Sequence, residues 1–515
     1  MSARARSHIR ALALVLLLLA STQLVLLTSR DHFPQELRAL PQRYDADNSG
    51  VASIALGEMH ACVVDTESQM KCWGDGVSGK TGHENVEDYG DEEEEMGRYL
   101  SFTDVGSGLT FSDVALGMDF TCALLSDASV KCWGENEQLG SSSGASGTGA
   151  KGDGYLEMGD NVEAVALGYW NATAIAAGEN HACAIVNDGT SDSLVCWGQN
   201  GYGQLGLNST DTIGDTDADL LGGSLPHVDL PDRGEGLAQI TLGNSHTCVL
   251  WDDGNMSCWG HNNHGQLGIG STDDIGDDAG EMGDNLGLVN LPTDRTATAI
   301  AGGEDMTCAI LDDSSLACWG SGADGRLGNE GTSDEGDEPG EVGDSLNIVA
   351  LGGGLSVVAV DIGDGTSCAI MEDPSDTTND TIKCWGLGNF GQLGTGNGNT
   401  LGDGQYEMGD YLPSLSFGSN IHPTAIEVGD SFACALTNTS MVKCWGSGED
   451  GRTGLEKTGA TGDESGEMGD DLAFVQLFMP EPSLDQPCDV EAEGDPLDAS
   501  SLDSVSSRVG NKTST

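Results

Sequence analysis

Fourteen of the fifteen cysteines in this 515-residue chain fall into sequence-near couples. They are Cys62 and Cys72, Cys122 and Cys132, Cys183 and Cys196, Cys248 and Cys258, Cys308 and Cys318, Cys368 and Cys384, and Cys434 and Cys444. Five couples are ten residues apart, while the third is stretched by three and the sixth by six. In both stretched couples the additions are polar turn formers (NDGTSD and EDPSDTTND). Residues added at the tip of a β-hairpin leave the cross-strand partners in place, whereas they would destroy a helical spacing or a metal-ligand spacing. First cysteines recur after 60, 61, 65, 60, 60 and 66 residues, and removing the two insertions leaves 60, 61, 62, 60, 60 and 60. One supersecondary unit is therefore used seven times.

Each unit reads as four short strands. In the fourth they are Leu237–Leu242, His246–Leu250, Met256–Trp259 and, after a long acidic loop, Leu286–Leu291. Apolar residues alternate along them, as half-buried strands require. Glycine is abundant at 77 residues, aromatic content is 5% and apolar content 37%, which suits many short strands joined by tight turns. The expected fold is all-β: a seven-bladed β-propeller with four short antiparallel strands and one disulfide hairpin per blade, over residues 51–479. An open solenoid is the alternative.

Residues 1–30 form a signal anchor or a signal peptide. Arg4, Arg6 and Arg10 precede an almost wholly apolar run from Ala11 to Leu27. The run approaches the length that crosses a bilayer and lacks a strong cleavage site, so an uncleaved anchor with its body on the luminal or outer face is favoured over secretion. Residues 31–50 read as a linker and 480–515 as an acidic, Ser- and Pro-rich disordered tail holding the odd cysteine, Cys488. N-x-Ser/Thr triplets open at Asn171, Asn208, Asn255, Asn379, Asn438 and Asn511, and three of these (Asn255, Asn379 and Asn438) lie between paired cysteines, at expected hairpin tips. In an exported chain the cysteine couples are disulfides; the short knuckles of zinc sites are absent. Each would close a loop worth roughly 2–3 kcal/mol in the chain-entropy account.

Each second cysteine sits in Cys-Trp-Gly, and most units continue into Gly-Gln-Leu-Gly or a near copy, as in Cys196-Trp-Gly-Gln-Asn-Gly-Tyr-Gly-Gln-Leu-Gly206. The repeat resembles that of the regulator of chromosome condensation (RCC1) family, in a cysteine-rich variant in which a His-x-Cys-Ala-Leu strand pairs with the Cys-Trp-Gly strand. The resemblance covers about four-fifths of the chain. The first and seventh units depart from it with Gly79-Lys-Thr-Gly82 and Gly451-Arg-Thr-Gly454, and the histidine stands only at His60, His181 and His246. The family implies a propeller, whereas its activities are diverse: exchange on a small GTPase, chromatin binding, inhibition, or service as a module in ligases.

Eighty-four Asp and Glu against 20 Lys and Arg give a formal charge of −64, which repels phosphate backbones and excludes nucleic acid as a partner. Every unit carries a version of Gly-Asp-x-x-x-Glu-Met-Gly-Asp-x-Leu. Its carboxylates are candidate calcium ligands, notably Asp277, Glu281 and Asp284, Asp403, Glu407 and Asp410, and Asp463, Glu467 and Asp470. The competing reading has Met158, Met282, Met408 and Met468 plugging the blades while the acids are solvated. Trp73, Trp133, Trp197, Trp259, Trp319, Trp385 and Trp445, one per unit, read as packing between blades. The three histidines, each two before a cysteine on a strand, read as structural. No nucleophile elbow, phosphate loop or His-rich metal cluster appears. The leading function is an extracytoplasmic scaffold, monomeric, that binds a protein or a glycan and needs no cofactor beyond the candidate calcium. The alternatives are a propeller enzyme acting on polysaccharide, which requires carboxylates clustered at a deep central cleft, and an exchange-factor role inherited from the family.

Overall fold

A computed structural model describes residues 50–135, 140, 150–214, 224–373 and 376–478, all within a compact unit of Asn48–Met479. The apolar run at 11–27, Asn511, Cys488 and the acidic tail lie outside the described residues, among which no helix is long and apolar enough to cross a membrane.

Among the described residues the chain forms seven antiparallel sheets, each of three strands contiguous in sequence. In blade 4 the inner strand is Leu237–Leu242, the middle strand His246–Trp251 and the outer strand Met256–Gly260. Middle and outer strands are buried throughout, because both faces press on neighbouring blades, whereas the inner strand alternates with one side open to the axis. Every inner strand carries a register shift near its start, which bends it around the axis.

The cysteines of each couple stand directly opposite one another on the middle and outer strands, and all seven are bonded. Both stretched couples keep that register. Their additional residues extend the hairpin outward, to Asn187↔Asp192 in blade 3 and Asp373↔Asp376 in blade 6.

The expected fourth strand does not form as a strand. In blade 4 the segment 286–291 donates one ladder bond, from Val289 N to Met256 O at 2.9 Å, and then turns back, with Leu291 N donating to Val289 O at 3.0 Å. That three-residue turn stops the ladder after a single rung. A second rung comes from the acidic loop, where Ile275 and Gly260 exchange both backbone bonds. Isolated rungs thus cover the outer edge in place of a fourth strand, leaving less of it open to pairing with another chain.

The ring closes by packing blade 7 on blade 1. Val51 N donates to Ser440 O, Asp430 N to Glu58 O, and Trp73 Nε1 to Arg452 O. Each core cluster is shared between adjacent blades, as where Cys62 and Met70 of blade 1 meet Ala123 and Trp133 of blade 2.

The sequence motifs are the fasteners of these interfaces. All seven repeat tryptophans are fully buried, and Trp133, Trp259, Trp319, Trp385 and Trp445 each donate Nε1–H to a carbonyl in the Gly-Gln-Leu-Gly turn of the preceding blade. The first glycine of that turn has no room for a side chain: a Cβ on Gly203, at φ +77°, would lie 2.3 Å from Asp277 N. The Gly-Asp opening of the acidic loop therefore docks onto the turn of the blade before it.

A further couple crosses several interfaces, between the first residue of one middle strand and the second residue of the next. His60 bonds Thr121 Oγ1 at 2.8 Å, while His181 bonds Thr247 Oγ1 and His246 bonds Thr307 Oγ1, both at 2.9 Å. Each threonine donates onward to the same turn carbonyl that the tryptophan uses. Where the strand opens with Phe120 or Phe432 instead, the facing residue is Ala182 or Ala61, with the pair packed in one cluster. The histidines are structural, as their strand position implied.

An acidic axial channel as the candidate functional site

The seven inner strands end in a common pattern. In blade 4 it is Leu237-Ala-Gln-Ile-Thr-Leu-Gly-Asn244. At the glycine neighbouring blades come close: a Cβ on Gly243 would lie 2.2 Å from Gly303 O. The residue after it borders the axis at one mouth. Around the ring these residues are Glu58, Met118, Glu179, Asn244, Glu304, Asp364 and Asp430, so five of the seven are carboxylic acids. Backbone bonds from Met118 N to Glu179 O, Asn244 N to Glu304 O and Asp430 N to Glu58 O hold these ends together across three interfaces.

The mouth opens into a cavity of about 350 Å³, lined by these seven residues together with the inner strand ends of all seven blades. Besides the mouth acids, Asp361 and Glu427 line it, at the strand position where the other blades have Ala55, Ala115, Ala176, Thr241 and Ala301. A third acid, Asp113, lies two residues earlier in blade 2's pattern and acts electrostatically on Glu427.

The acids perturb one another. Burial, then the charges of Glu179 and Asp430, push Glu58 up to about 7. A hydrogen bond with Glu304, then burial, pushes Asp364 up to about 8. For Glu304 burial is outweighed by that same hydrogen bond and by Arg326, and its carboxyl titrates below the usual range. Inside, burial lifts Asp361 to about 7, and burial followed by Asp361 and Asp113 lifts Glu427 well above the carboxylate range. Burial, reinforced at Glu58, Asp364 and Glu427 by neighbouring carboxylates, favours the neutral forms.

Three cations underlie the mouth. Fully buried Lys80 bonds Asp75 at 2.7 Å and Asp119 at 2.8 Å. Arg326 pairs with Glu304, and Arg452 lies 3.0 Å from Asp450 and 3.8 Å from Asp430. All three occupy the Gln place of the Gly-Gln-Leu-Gly turn, so the departures of units 1, 5 and 7 from the family pattern put positive charge under the acids. Ahead of the corresponding turn in unit 4, His264 bonds Asp334 at 2.8 Å, and His261 lies 3.6 Å from Asp305.

The acidic loops are arranged differently from a calcium cage. Glu281, Glu407 and Glu467 each accept two backbone N–H bonds from their own loop. Asp410 accepts from Gly353 N, and Asp470 from Ser419 N and Oγ. Asp463 and Glu467 share a side-chain hydrogen bond, so two acids of that triplet meet while the third faces another loop. Asp277 and Asp403 contribute their backbones to the docking on Gly203 and Gly325, and Asp284 stands in the short turn Gly283–Asn285. Among the described residues no group of three or more His, Cys, Asp or Glu is placed to hold a metal ion. Met158, Met282 and Met408 are buried in the interblade cores.

Of the glycosylation acceptors, Asn171 and Asn438 are exposed and Asn255 is half-buried at its hairpin turn. Asn208 is half-buried, and its Oδ1 accepts from the backbone N–H groups of Gly280, Glu281 and Met282 in the next blade. Asn379 lies in the strand Asp376–Gly386, and its side chain falls outside the described residues. The acidic mouth was not singled out from the sequence. Its signal is an acid just after the glycine that ends the inner strand, recurring in five units with the period of the cysteines.

Family models described as the regulator of chromosome condensation (RCC1) repeat match residues 111–138, 172–204, 237–266 and 424–452, and, in a second version, 192–250. The chain carries RCC1 repeats over those residues. The crystal structure of human WBSCR16 superposes with a TM-score of 0.55 at 18% identity, covering 79% of this chain and 94% of that one. Yeast RCC1 (Prp20), crystallised with Kap60 bound, gives 0.51 at 19%, covering 78% and 82%. At such identities the likeness is one of fold. The probable E3 ubiquitin-protein ligase HERC4 of Homo sapiens is 31% identical over 222 residues, which are 43% of this chain and 18% of the ligase. The chain thus spans under a fifth of that relative.

Proposed function

We propose that this RCC1-repeat propeller is a protein-binding scaffold of the secretory pathway or cell exterior, and that its axial mouth receives a basic partner. The observation that carries the reading is the ring of Glu58, Glu179, Glu304, Asp364 and Asp430, five acids at one opening with three cations set against it. Such a mouth concentrates negative potential and steers a cationic surface toward the axis. Yeast RCC1 carries a protein, Kap60, in its crystal, and protein binding for this chain is the corresponding reading.

The extracytoplasmic half rests on seven disulfides, which persist in oxidising compartments, together with the apolar run at 11–27 and the acceptor asparagines. Peptide mapping without reduction, on protein from its native source, tests it; free thiols at the seven couples would overturn it. The mouth is tested by titrating a lysine-rich peptide against the native chain and against Glu58→Gln/Glu179→Gln/Glu304→Gln. Binding should weaken at least tenfold in the triple variant and fall with added salt. Equal binding by both refutes the mouth as the site.

The clustered acids and axial cavity also meet the requirement set for a polysaccharide-acting propeller. The lining favours binding over that alternative, because among the described residues no aromatic side chain lines the cavity to stack on a sugar ring. Hydrolysis of a glycan panel that is lost in Glu427→Gln would reverse the preference. An exchange-factor role would instead show as accelerated nucleotide release from a small GTPase.

A further inference from the structure

We propose that blade 4 binds a monovalent metal cation where its acidic loop meets the segment leading in from blade 3, on the carbonyls of Leu230 and Gly283 with the buried hydroxyl of Ser257 behind them. The site belongs to the outer strand and does not depend on protein binding at the mouth.

Other blades show what this junction is built to hold. The residue before the second cysteine is a lysine in blades 1, 2, 6 and 7, namely Lys71, Lys131, Lys383 and Lys443, all buried. Each ammonium donates to two backbone carbonyls, one from a glycine of its own acidic loop and one from the last segment of the blade before. In blade 6 these are Gly409 O at 2.9 Å and Leu351 O at 2.8 Å, and in blade 7 Gly469 O at 2.8 Å and Phe417 O at 2.7 Å. One more bond ties the two backbones together: Gly409 N donates to Ala350 O at 2.7 Å, and Gly469 N to Ser416 O at 2.9 Å.

Blade 4 keeps this frame without the lysine. Gly283 N donates to Asp229 O at 2.7 Å, Gly283 has φ +67° where Gly409 has +68°, and Ser257 stands opposite Val249 as Lys383 stands opposite Ala369. Ser257 is fully buried, and its Oγ has no hydrogen-bond partner among the described residues. A serine hydroxyl stops well short of where a lysine ammonium reaches, and no described lysine or arginine bonds Leu230 O or Gly283 O in its stead. Blade 5 has Ala317 in this place, which brings no oxygen, and the corresponding loop glycine of blade 3 lies outside the described residues.

The charges around the junction favour a cation over a water. In blade 7 the acid after the loop glycine, Asp470, accepts from Ser419, and in blade 5 Asp344 accepts from Thr293. Blade 4 has Asp232 in the place of Ser419 and Asp229 in the place of Ser416, both exposed at the rim of the junction. A carboxylate oxygen of Asp229 would lie 2.9 Å from a Cβ on Gly283. Relative to blade 7, the junction has exchanged a buried ammonium for a hydroxyl and added carboxylates at its rim, with the same carbonyls in place. A buried hydroxyl without a partner is costly, and nearby negative charge selects a positive occupant. Neutral carbonyl and hydroxyl oxygens suit a monovalent ion. A divalent ion needs carboxylates gathered around it, and the described acids are not so grouped.

Thermal melts of the full chain in potassium, sodium and choline chloride at equal ionic strength test the site, choline being too bulky to enter. The native chain should melt roughly 2 °C or more higher in potassium or sodium than in choline, and the larger shift names the resident ion. Ser257→Lys, which restores the ammonium of the other blades, should abolish the difference and melt in choline at least as high as the native chain in potassium. Thallium(I), a potassium analogue followed by its magnetic resonance, should give a bound signal that potassium displaces and that Ser257→Lys lacks. Ser257→Ala removes only the hydroxyl, so it keeps the test open if the lysine does not fold, and it should weaken the thallium signal severalfold. Equal melting of the native chain in all three salts assigns the junction to water and overturns the proposal. A salt difference that persists in Ser257→Lys, or a thallium signal unchanged in both variants, overturns it as well.

Discussion

Replacing Thr307 with alanine should destabilise the ring by about 2–4 kcal/mol, and the cost should largely vanish when His246 becomes phenylalanine in the same chain. Thr307 is fully buried; its Oγ1 donates to Gln266 O at 3.0 Å and accepts from His246 Nε2 at 2.9 Å. Removing the hydroxyl strands a buried imidazole N–H, worth about 1–3 kcal/mol, and deletes one hydrogen bond, worth about 1 kcal/mol. The Gln266 carbonyl keeps its second donor, Trp319 Nε1 at 3.0 Å, so it adds little. His246→Phe alone forces a larger ring against the Thr307 side chain, which costs about 1–3 kcal/mol. The double variant reproduces the couple that blade 2 and blade 3 already use, Phe120 against Ala182. The double-mutant cycle should therefore return a coupling of about 2 kcal/mol or more in favour of the matched pair. Urea unfolding of the oxidised protein, followed by tryptophan fluorescence and far-ultraviolet circular dichroism, measures all four corners. Additivity within about 0.5 kcal/mol, the range expected of independent sites, would refute the claim that the couple is one structural unit.

Gly203→Ala should cost about 2–4 kcal/mol, since the residue sits at φ +77° with Asp277 N where the methyl would go, while Gly201→Ala, with open space around it, should be near neutral in the same melts. Melting temperature should rise as pH falls from 8.5 to 6.5. Glu58, Asp361 and Asp364 have folded values of about 7, 7 and 8, above their ordinary ones, so the stability of their neutral forms is full at low pH and lost as pH climbs through that window. His181 and His246 work oppositely: burial lowers them to about 3 and about 4, so the stability they hold above pH 6.5 is lost on further acidification. A flat profile between pH 6.5 and 8.5 would contradict the acid assignments. Calcium should leave the melting temperature unchanged relative to chelator, because the acidic loops direct their glutamates to their own backbone; a rise of several degrees would show that the loops gather as ligands.

The number of blades, the hairpin register and the disulfide partners were legible in the sequence, because a cysteine couple that tolerates six extra tip residues fixes which residues face each other. Periodicity also marked the tryptophans and glycines, whose roles are set by contacts that every repeat makes in the same way. The fourth strand was misread for a local reason: Leu286–Leu291 has a strand's composition, but a three-residue turn at Val289–Leu291 ends the ladder after one rung. Sequence by itself thus determined the repeating unit and its fasteners. Only the tertiary structure decided what seven units make together. Glu58, Glu179, Glu304, Asp364 and Asp430 are spread over more than 370 positions and become neighbours only when the ring closes. Asp361 and Glu427 become unusual only once the axis puts them into a wall of alanines. The charge of such a site is a property of closure, since each acid alone is an ordinary solvated side chain and its perturbation comes from the burial that the closed ring imposes, reinforced at Glu58, Asp364 and Glu427 by neighbouring carboxylates.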